Sequence, residues 1–127
     1  MLTTFSISAD GATLHPKVGD LESHEWHPFL VGNEQAGRFH VLEENKDPEH
    51  PVISGVWEHL VTDSPSGAFT MQQQENEVIY LIRGAAEITY TDGTVIKISA
   101  GDTFYFPKGS DVTWRTTKDL IKFFVLY

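Results

Sequence analysis

The chain has 127 residues, no cysteine and a formal charge of −9, with 40% hydrophobic and 12% aromatic residues. That is one domain's worth of chain, with apolar content enough for a core of its own and no disulfide framework, thiol nucleophile or thiolate metal site. The acidity argues against nucleic acid, whose phosphates need clustered Lys and Arg, and against an anionic membrane surface. No run of eighteen apolar residues is present, so no membrane span is predicted. Asp10, Asp20 and Glu22 interrupt the first thirty residues, which have no long apolar run. They do not read as a signal peptide, and the expected location is cytoplasmic.

Residues 1–35 read as a loosely patterned N-terminal arm. Residues 3–8 alternate and fit an edge strand; Gly11, Pro16, Gly19, Pro28 and Gly32 break the rest of the arm into short pieces. His15, His24 and His27 lie on this arm without a carboxylate cluster of metal-binding spacing, and they read as surface histidines. From residue 36 strand signals are dense. Strands are predicted over 37–42, then 52–61, where Gly55 marks a bulge or a close approach. A turn comes next at 64–67, and strands at 68–73 and 77–82 flank a polar turn. Arg83-Gly84 is predicted to turn the chain. The clearest hairpin joins 85–90 to 95–98 through Asp92-Gly93. Strands at 103–106, 112–116 and 120–127 complete the series. Eight to ten short strands with no sustained helical period predict an all-β sandwich or jelly-roll barrel over 36–127, the arm packed along one edge.

Two stretches carry the most information. Residues 67–84 read G-A-F-T-M-Q-Q-Q-E-N-E-V-I-Y-L-I-R-G, and residues 101–114 read G-D-T-F-Y-F-P-K-G-S-D-V-T-W. With their Glu-x6-Gly and Gly-x5-Pro-x-Gly spacings they resemble the two motifs of the cupins, a family of RmlC-like jelly rolls. Residues 53–127 resemble the small single-domain cupins related to ureidoglycine aminohydrolases and ethanolamine-utilisation cupins. Ser54-Gly55-Val56-Trp57-Glu58 matches the S-G-x-W-E strand of that group. Phe69, Glu77, Tyr80 and Gly84 match its first motif, and Gly101, Asp102, residues 106–109, Thr113 and Trp114 match its second. A double-stranded β-helix is the fold this implies. Metal-binding cupins place two histidines before the glutamate and a third after the Pro-x-Gly; here those positions hold Met71, Gln73 and Val112.

The resemblance implies that the metal-ligand positions point into the barrel. Strand alternation then turns Met71, Gln73, Glu77, Ile79 and Leu81 inward, with Val112, Trp114 and Thr116. Either Trp57 or Glu58 joins them, because strand neighbours cannot both face inward, and Tyr105 stands in the same relation to Phe104 and Phe106. The predicted site is therefore Glu77 as acid/base or turn-former, with Met71, Gln73, Trp114, Trp57 and Tyr105 around a small-molecule ligand. An inward Glu77 needs a partner, and Arg38, His59 and Lys122 are candidates. No cofactor is expected: Met, Gln and Glu together match no ordinary transition-metal site, although His40 and His59 remain as ligands from other strands. The function predicted is a small-molecule-binding cupin. It is either an enzyme acting on a small polar metabolite without a His-ligated metal, or a non-catalytic sensor or carrier. Val78, Tyr80 and Ile82, turned outward, and Phe5 and Ile7 on the arm predict a homodimer.

Overall fold

The computed structural model describes residues 25–63 and 67–127, and these form strands and turns without a helix. The strands are β1 (His27–Val31), β2 (Glu34–Asn45), β3 (Val52–His59), β4 (Ala68–Gln72), β5 (Glu77–Tyr90), β6 (Val95–Ser99), β7 (Thr103–Phe106) and β8 (Asp111–Leu126). Every pairing is antiparallel. β5 and β8 are long and pair with each other along most of their length. The first half of β5 pairs with β7 and its second half with β6. The start of β8 pairs with β4 and its end with β3. One wall is therefore β1-β2-β3, the end of β8, the start of β5 and β7. The other is β4, the start of β8, the end of β5 and β6. Two walls joined through two bent strands make the jelly-roll barrel expected from the alternating sequence.

The bend in β5 corrects one expectation. Arg83-Gly84 does not end a strand; it is an irregularity inside one, where the β5–β8 register shifts. Before it Glu77, Ile79 and Leu81 are buried while Val78 and Tyr80 are exposed; after it the buried residues are Ala86 and Ile88. Between Leu81↔Lys122 and Ala86↔Thr116 β5 advances five residues and β8 six, and this mismatch switches the inward parity of β5 from odd to even, as bulges do. Gly84 has φ +88°, and a Cβ there would lie 2.3 Å from the Asp119 carbonyl oxygen, so glycine is required twice over. The predicted strands 112–116 and 120–127 likewise fuse into β8. Gly55 is a close approach: a Cβ would stand 2.2 Å from the His40 carbonyl oxygen across the β2–β3 ladder.

Of the predicted arm, the described part forms an edge strand. β1 pairs with β2, which itself begins at Glu34. The predicted strand over 3–8, with Phe5 and Ile7, lies outside the described residues, as do His15, His24 and residues 64–66 of a predicted turn. On the outer face of the large wall, Val56 and Ile121 form a satellite core with Trp26, Leu42 and Ile82. Arg38 borders it, bonded to Glu58 at 2.7 Å and lying 4.2 Å from the centroid of Trp26.

The Asp92-Gly93 hairpin is built as predicted. Gly93 N–H donates to the Tyr90 carbonyl at 3.0 Å and Thr94 N–H to Asp92 Oδ1 at 2.8 Å. The Thr94 backbone N–H, and after it the Thr94 hydroxyl, holds the exposed Asp92 carboxyl below its ordinary pKa. This stabilisation is present above the ordinary carboxylate pKa and fades as pH falls through the lowered one. Among the described residues no helix is long and apolar enough to cross a membrane.

Candidate functional site

Between the inner face of the large wall and β4 lies a cavity of about 470 Å³. Its sides are apolar: Phe29 and Val31 of β1, Phe39 of β2, Trp57 of β3, Met71 of β4, and Phe124 and Leu126 of β8. Its buried polar groups are Gln73, Glu77 and Lys122, while Thr70, Gln72, Gln74 and Glu75 line it from exposed positions. A smaller hollow of about 290 Å³ near Glu44, Lys46, Pro51 and Tyr127 contains no buried side chain.

The two sequence motifs hold these polar groups in place. Gln73 comes directly after β4; its N–H donates to the Ser110 carbonyl at 2.9 Å, and its own carbonyl accepts from Gly109 N–H at 2.7 Å. The Pro-x-Gly turn thus clamps the backbone of Gln73. Asn76 fixes the next turn. Its Oδ1 accepts from Lys108 N–H at 2.9 Å and the Tyr105 hydroxyl at 3.1 Å, and its backbone exchanges two hydrogen bonds of 3.0 Å with Tyr127. Glu77 then opens β5 from a fixed start.

Glu77 is paired with Lys122. Lys122 Nζ donates to Glu77 Oε2 at 2.9 Å, and both side chains are 7% exposed. The ammonium also lies 4.8 Å from the Trp57 ring centroid and 5.1 Å from that of Trp114. A carboxylate and two indole faces surround one cation, the environment in which a buried ammonium is tolerated. The other two candidate partners of Glu77 are engaged elsewhere: Arg38 with Glu58, and His59 Nδ1 with Thr116 Oγ1 at 2.8 Å. Glu77 Oε1 and the Gln73 side-chain amide have no hydrogen-bond partner among the described residues, and Gln73 is 8% exposed.

The remaining predicted site residues divide. Met71 lies on the cavity wall, and so does Trp57 rather than Glu58, which bonds Arg38. The Trp57 indole N–H donates to the Ala36 carbonyl at 2.8 Å, and its ring stacks on His59 with centroids 5.0 Å apart. Two expectations are corrected. Trp114 points inward but is fully buried beneath Trp57 and Lys122, its indole N–H bonded to Thr116 Oγ1 at 2.9 Å, and it does not line the cavity. Tyr105 faces out of the barrel: Phe106 is fully buried, Phe104 packs on the core, and alternation leaves Tyr105 47% exposed.

Residues that the motifs do not single out complete the site. Lys122, in the sequence only a candidate partner for Glu77, belongs to the cavity itself; its signal is the alternation that puts it on the face of Phe124 and Leu126. Phe29 and Val31 have no such signal, because their strand is five residues that include Pro28 and end before Gly32.

The histidines do not gather. His40 Nδ1 donates to the Glu25 carbonyl at 2.8 Å, and among the described residues no group of three His, Asp or Glu side chains could hold a metal ion.

Known proteins share this architecture. No protein with a curated description matches the chain significantly. The fold is shared with the EutQ protein of Clostridium difficile at 19% identity and TM-score 0.61, over 84% of this chain and 82% of that one. An RmlC-like cupin from Shewanella frigidimarina matches at 18% identity and TM-score 0.61, over 83% and 84% of the two chains. A DUF861 family protein from Thermotoga maritima is 30% identical over 57% of this chain and 76% of its own, with TM-score 0.51. The model of the EutQ-like cupin domain matches residues 52–124, more than half of the chain, and the chain belongs to that family.

Proposed function

We propose that the protein binds a small organic molecule in the barrel cavity, without a His-held metal. The observation that carries this reading is Gln73: a buried side-chain amide on an otherwise largely apolar cavity wall, with no partner among the described residues. An unpaired buried amide is unfavourable by about 1–3 kcal/mol, and a ligand polar group would satisfy it. The volume, about 470 Å³, is within the range of ordinary ligand sites. Lys122 supports the metal-free part, since its ammonium already pairs with Glu77, the one carboxylate among the buried lining groups. A cytoplasmic setting, where a chain without cysteine needs no oxidising compartment, belongs to the same reading.

Screening by native mass spectrometry and thermal shift tests it. A bound ligand should raise the melting temperature by mass action, and Gln73→Leu should weaken binding by about tenfold, the effect of one hydrogen bond to a buried group. Binding should survive chelator. One equivalent of zinc, iron, nickel or manganese per purified chain would overturn the metal-free reading.

A second reading, catalysis, is favoured by one observation: Glu77 has an oxygen that no described protein group uses, within a cavity that also contains an ammonium. In this reading Glu77 is a general base, and Glu77→Gln should lower turnover of the bound molecule by about two to four orders of magnitude. Unchanged turnover per folded molecule would leave binding alone.

The assembly proposed is a two-fold dimer through the outer face of β5 and β7. Val78 and Tyr80, at 39% and 43% exposure, stand beside Tyr105, with Val78 opposite Tyr105 in the ladder. Light scattering should give twice the chain mass, and Tyr80→Glu should give a folded monomer. A wild-type monomer at micromolar concentration would count against this assembly.

A further inference from the structure

We infer that the cavity selects uncharged ligands carrying a hydrogen-bond donor, received by Glu77 Oε1, and that Lys122 sets this preference by neutralising Glu77. This rests on the cavity being a ligand site, and adds the chemical class of its ligand.

Lys122 has three N–H donors and no acceptor. One donor is bonded to Glu77 Oε2 at 2.9 Å, and the ammonium lies within 4.8 Å and 5.1 Å of two indole centroids. Its charge is therefore compensated before any ligand arrives. Glu77 is compensated too, but through one oxygen only. Besides the other two N–H groups of Lys122, the capacity left open on the buried lining groups is the acceptor Oε1 and the Gln73 amide, both a donor and an acceptor. A ligand hydroxyl or carboxamide can give an N–H or O–H to Glu77 and bury no new charge.

Charged ligands meet the opposite situation. A carboxylate would approach the Glu77 anion among Phe29, Phe39, Trp57, Met71 and Phe124, where the local dielectric is low and like charges repel strongly. It could share Lys122 with Glu77 through another N–H, but one ammonium would then answer two carboxylates and the cavity would hold a net buried negative charge. A ligand ammonium would add a second cation beside Lys122, with one free buried carboxylate oxygen to answer it, the Glu75 carboxylate being exposed to water. The apolar walls take the body of the ligand and the neutral pair takes its head.

Calorimetric titration of the whole chain at neutral pH with four compounds of one skeleton tests the inference. The compounds are 3-phenylpropan-1-ol, 3-phenylpropanamide, 3-phenylpropanoate and 3-phenylpropylammonium. The alcohol and the amide are expected to bind at least about tenfold more tightly than the two ions, the scale of leaving a buried charge poorly matched. In Glu77→Gln the amide oxygen stays with Lys122, an N–H donor replaces the open acceptor and the charge of Lys122 is uncompensated, so the propanoate should overtake the alcohol. Wild-type protein that binds the propanoate or the propylammonium as tightly as the alcohol overturns the inference and leaves the ligand site standing. Binding of none of the four overturns both. The wild-type series decides even if the variant fails to fold.

Discussion

Lys122→Met is expected to destabilise the fold by about 3–5 kcal/mol in urea unfolding, because it strands the Glu77 carboxylate in the barrel. The side chains of this pair are 7% exposed, so water does not replace the lost partner. The reverse change should be milder. In Glu77→Gln the amide oxygen can still accept from Lys122, and the ammonium keeps the faces of Trp57 and Trp114. Two cation–π contacts of about 0.5–2 kcal/mol each offset much of the lost ion pair. The double variant, Glu77→Gln with Lys122→Met, leaves neither charge and should recover most of the stability lost in Lys122→Met. A double-mutant cycle should give a coupling of about 3 kcal/mol, the upper end of what contacting residues show. Strict additivity would mean that the ion pair does not form in solution.

The same comparison bears on function. A buried ion pair is often no more stabilising than two apolar side chains of the same volume. β8 could carry Leu or Met at position 122 beside Phe124 and Leu126 without disturbing its inward face. A charged pair inside a cavity is therefore poorly explained by stability alone, and recognition or acid/base chemistry explains it better. If the double variant is as stable as the wild type but no longer discriminates among ligands, the pair serves the ligand rather than the fold.

Strand alternation makes most of the barrel legible. Glu77, Ile79 and Leu81 fall inward and Val78 and Tyr80 outward because a strand has a period of two; E-V-I-Y-L-I has no polar alternation to mark its faces, and the cupin resemblance supplies the inward one. Alternation fails where the chain gains a residue. At Gly84 the sequence offers a glycine in either case, and only the ladder with β8 shows that β5 continues. Alternation also gives direction but not depth. Trp114 points inward as its parity requires, yet Trp57 and Lys122 stand between it and the cavity. Tyr105 is ambiguous in the sequence because three aromatic residues follow one another in T-F-Y-F, and the pairing with Val78 resolves it. β1 is hidden because five residues, one of them Pro28, are too few for a period to emerge.

Trp57→Ala should be at least as damaging to stability as Lys122→Met, about 3–5 kcal/mol, the range for removing a large buried aromatic. The indole does four things at once. It lies 4.8 Å from the Lys122 ammonium, stacks on His59 at 5.0 Å, meets Trp114 edge-on at 5.6 Å and donates to the Ala36 carbonyl at 2.8 Å. Trp57→Phe separates these contributions. It keeps an aromatic face for Lys122 and His59 but leaves the Ala36 carbonyl, in a fully buried residue, without its donor, a loss of about 1–3 kcal/mol. Because Trp57 and Lys122 touch, Trp57→Ala and Lys122→Met should not be additive, with a coupling of about 0.5–2 kcal/mol. The consequence for binding separates the two variants. Trp57→Ala opens the cavity wall and should cost affinity for 3-phenylpropan-1-ol, whereas Trp57→Phe preserves the wall and should leave it within about threefold. A Trp57→Ala variant whose stability stays within about 1 kcal/mol of the wild type, the scale of an average single substitution, would show that this indole neither packs the barrel nor supports Lys122.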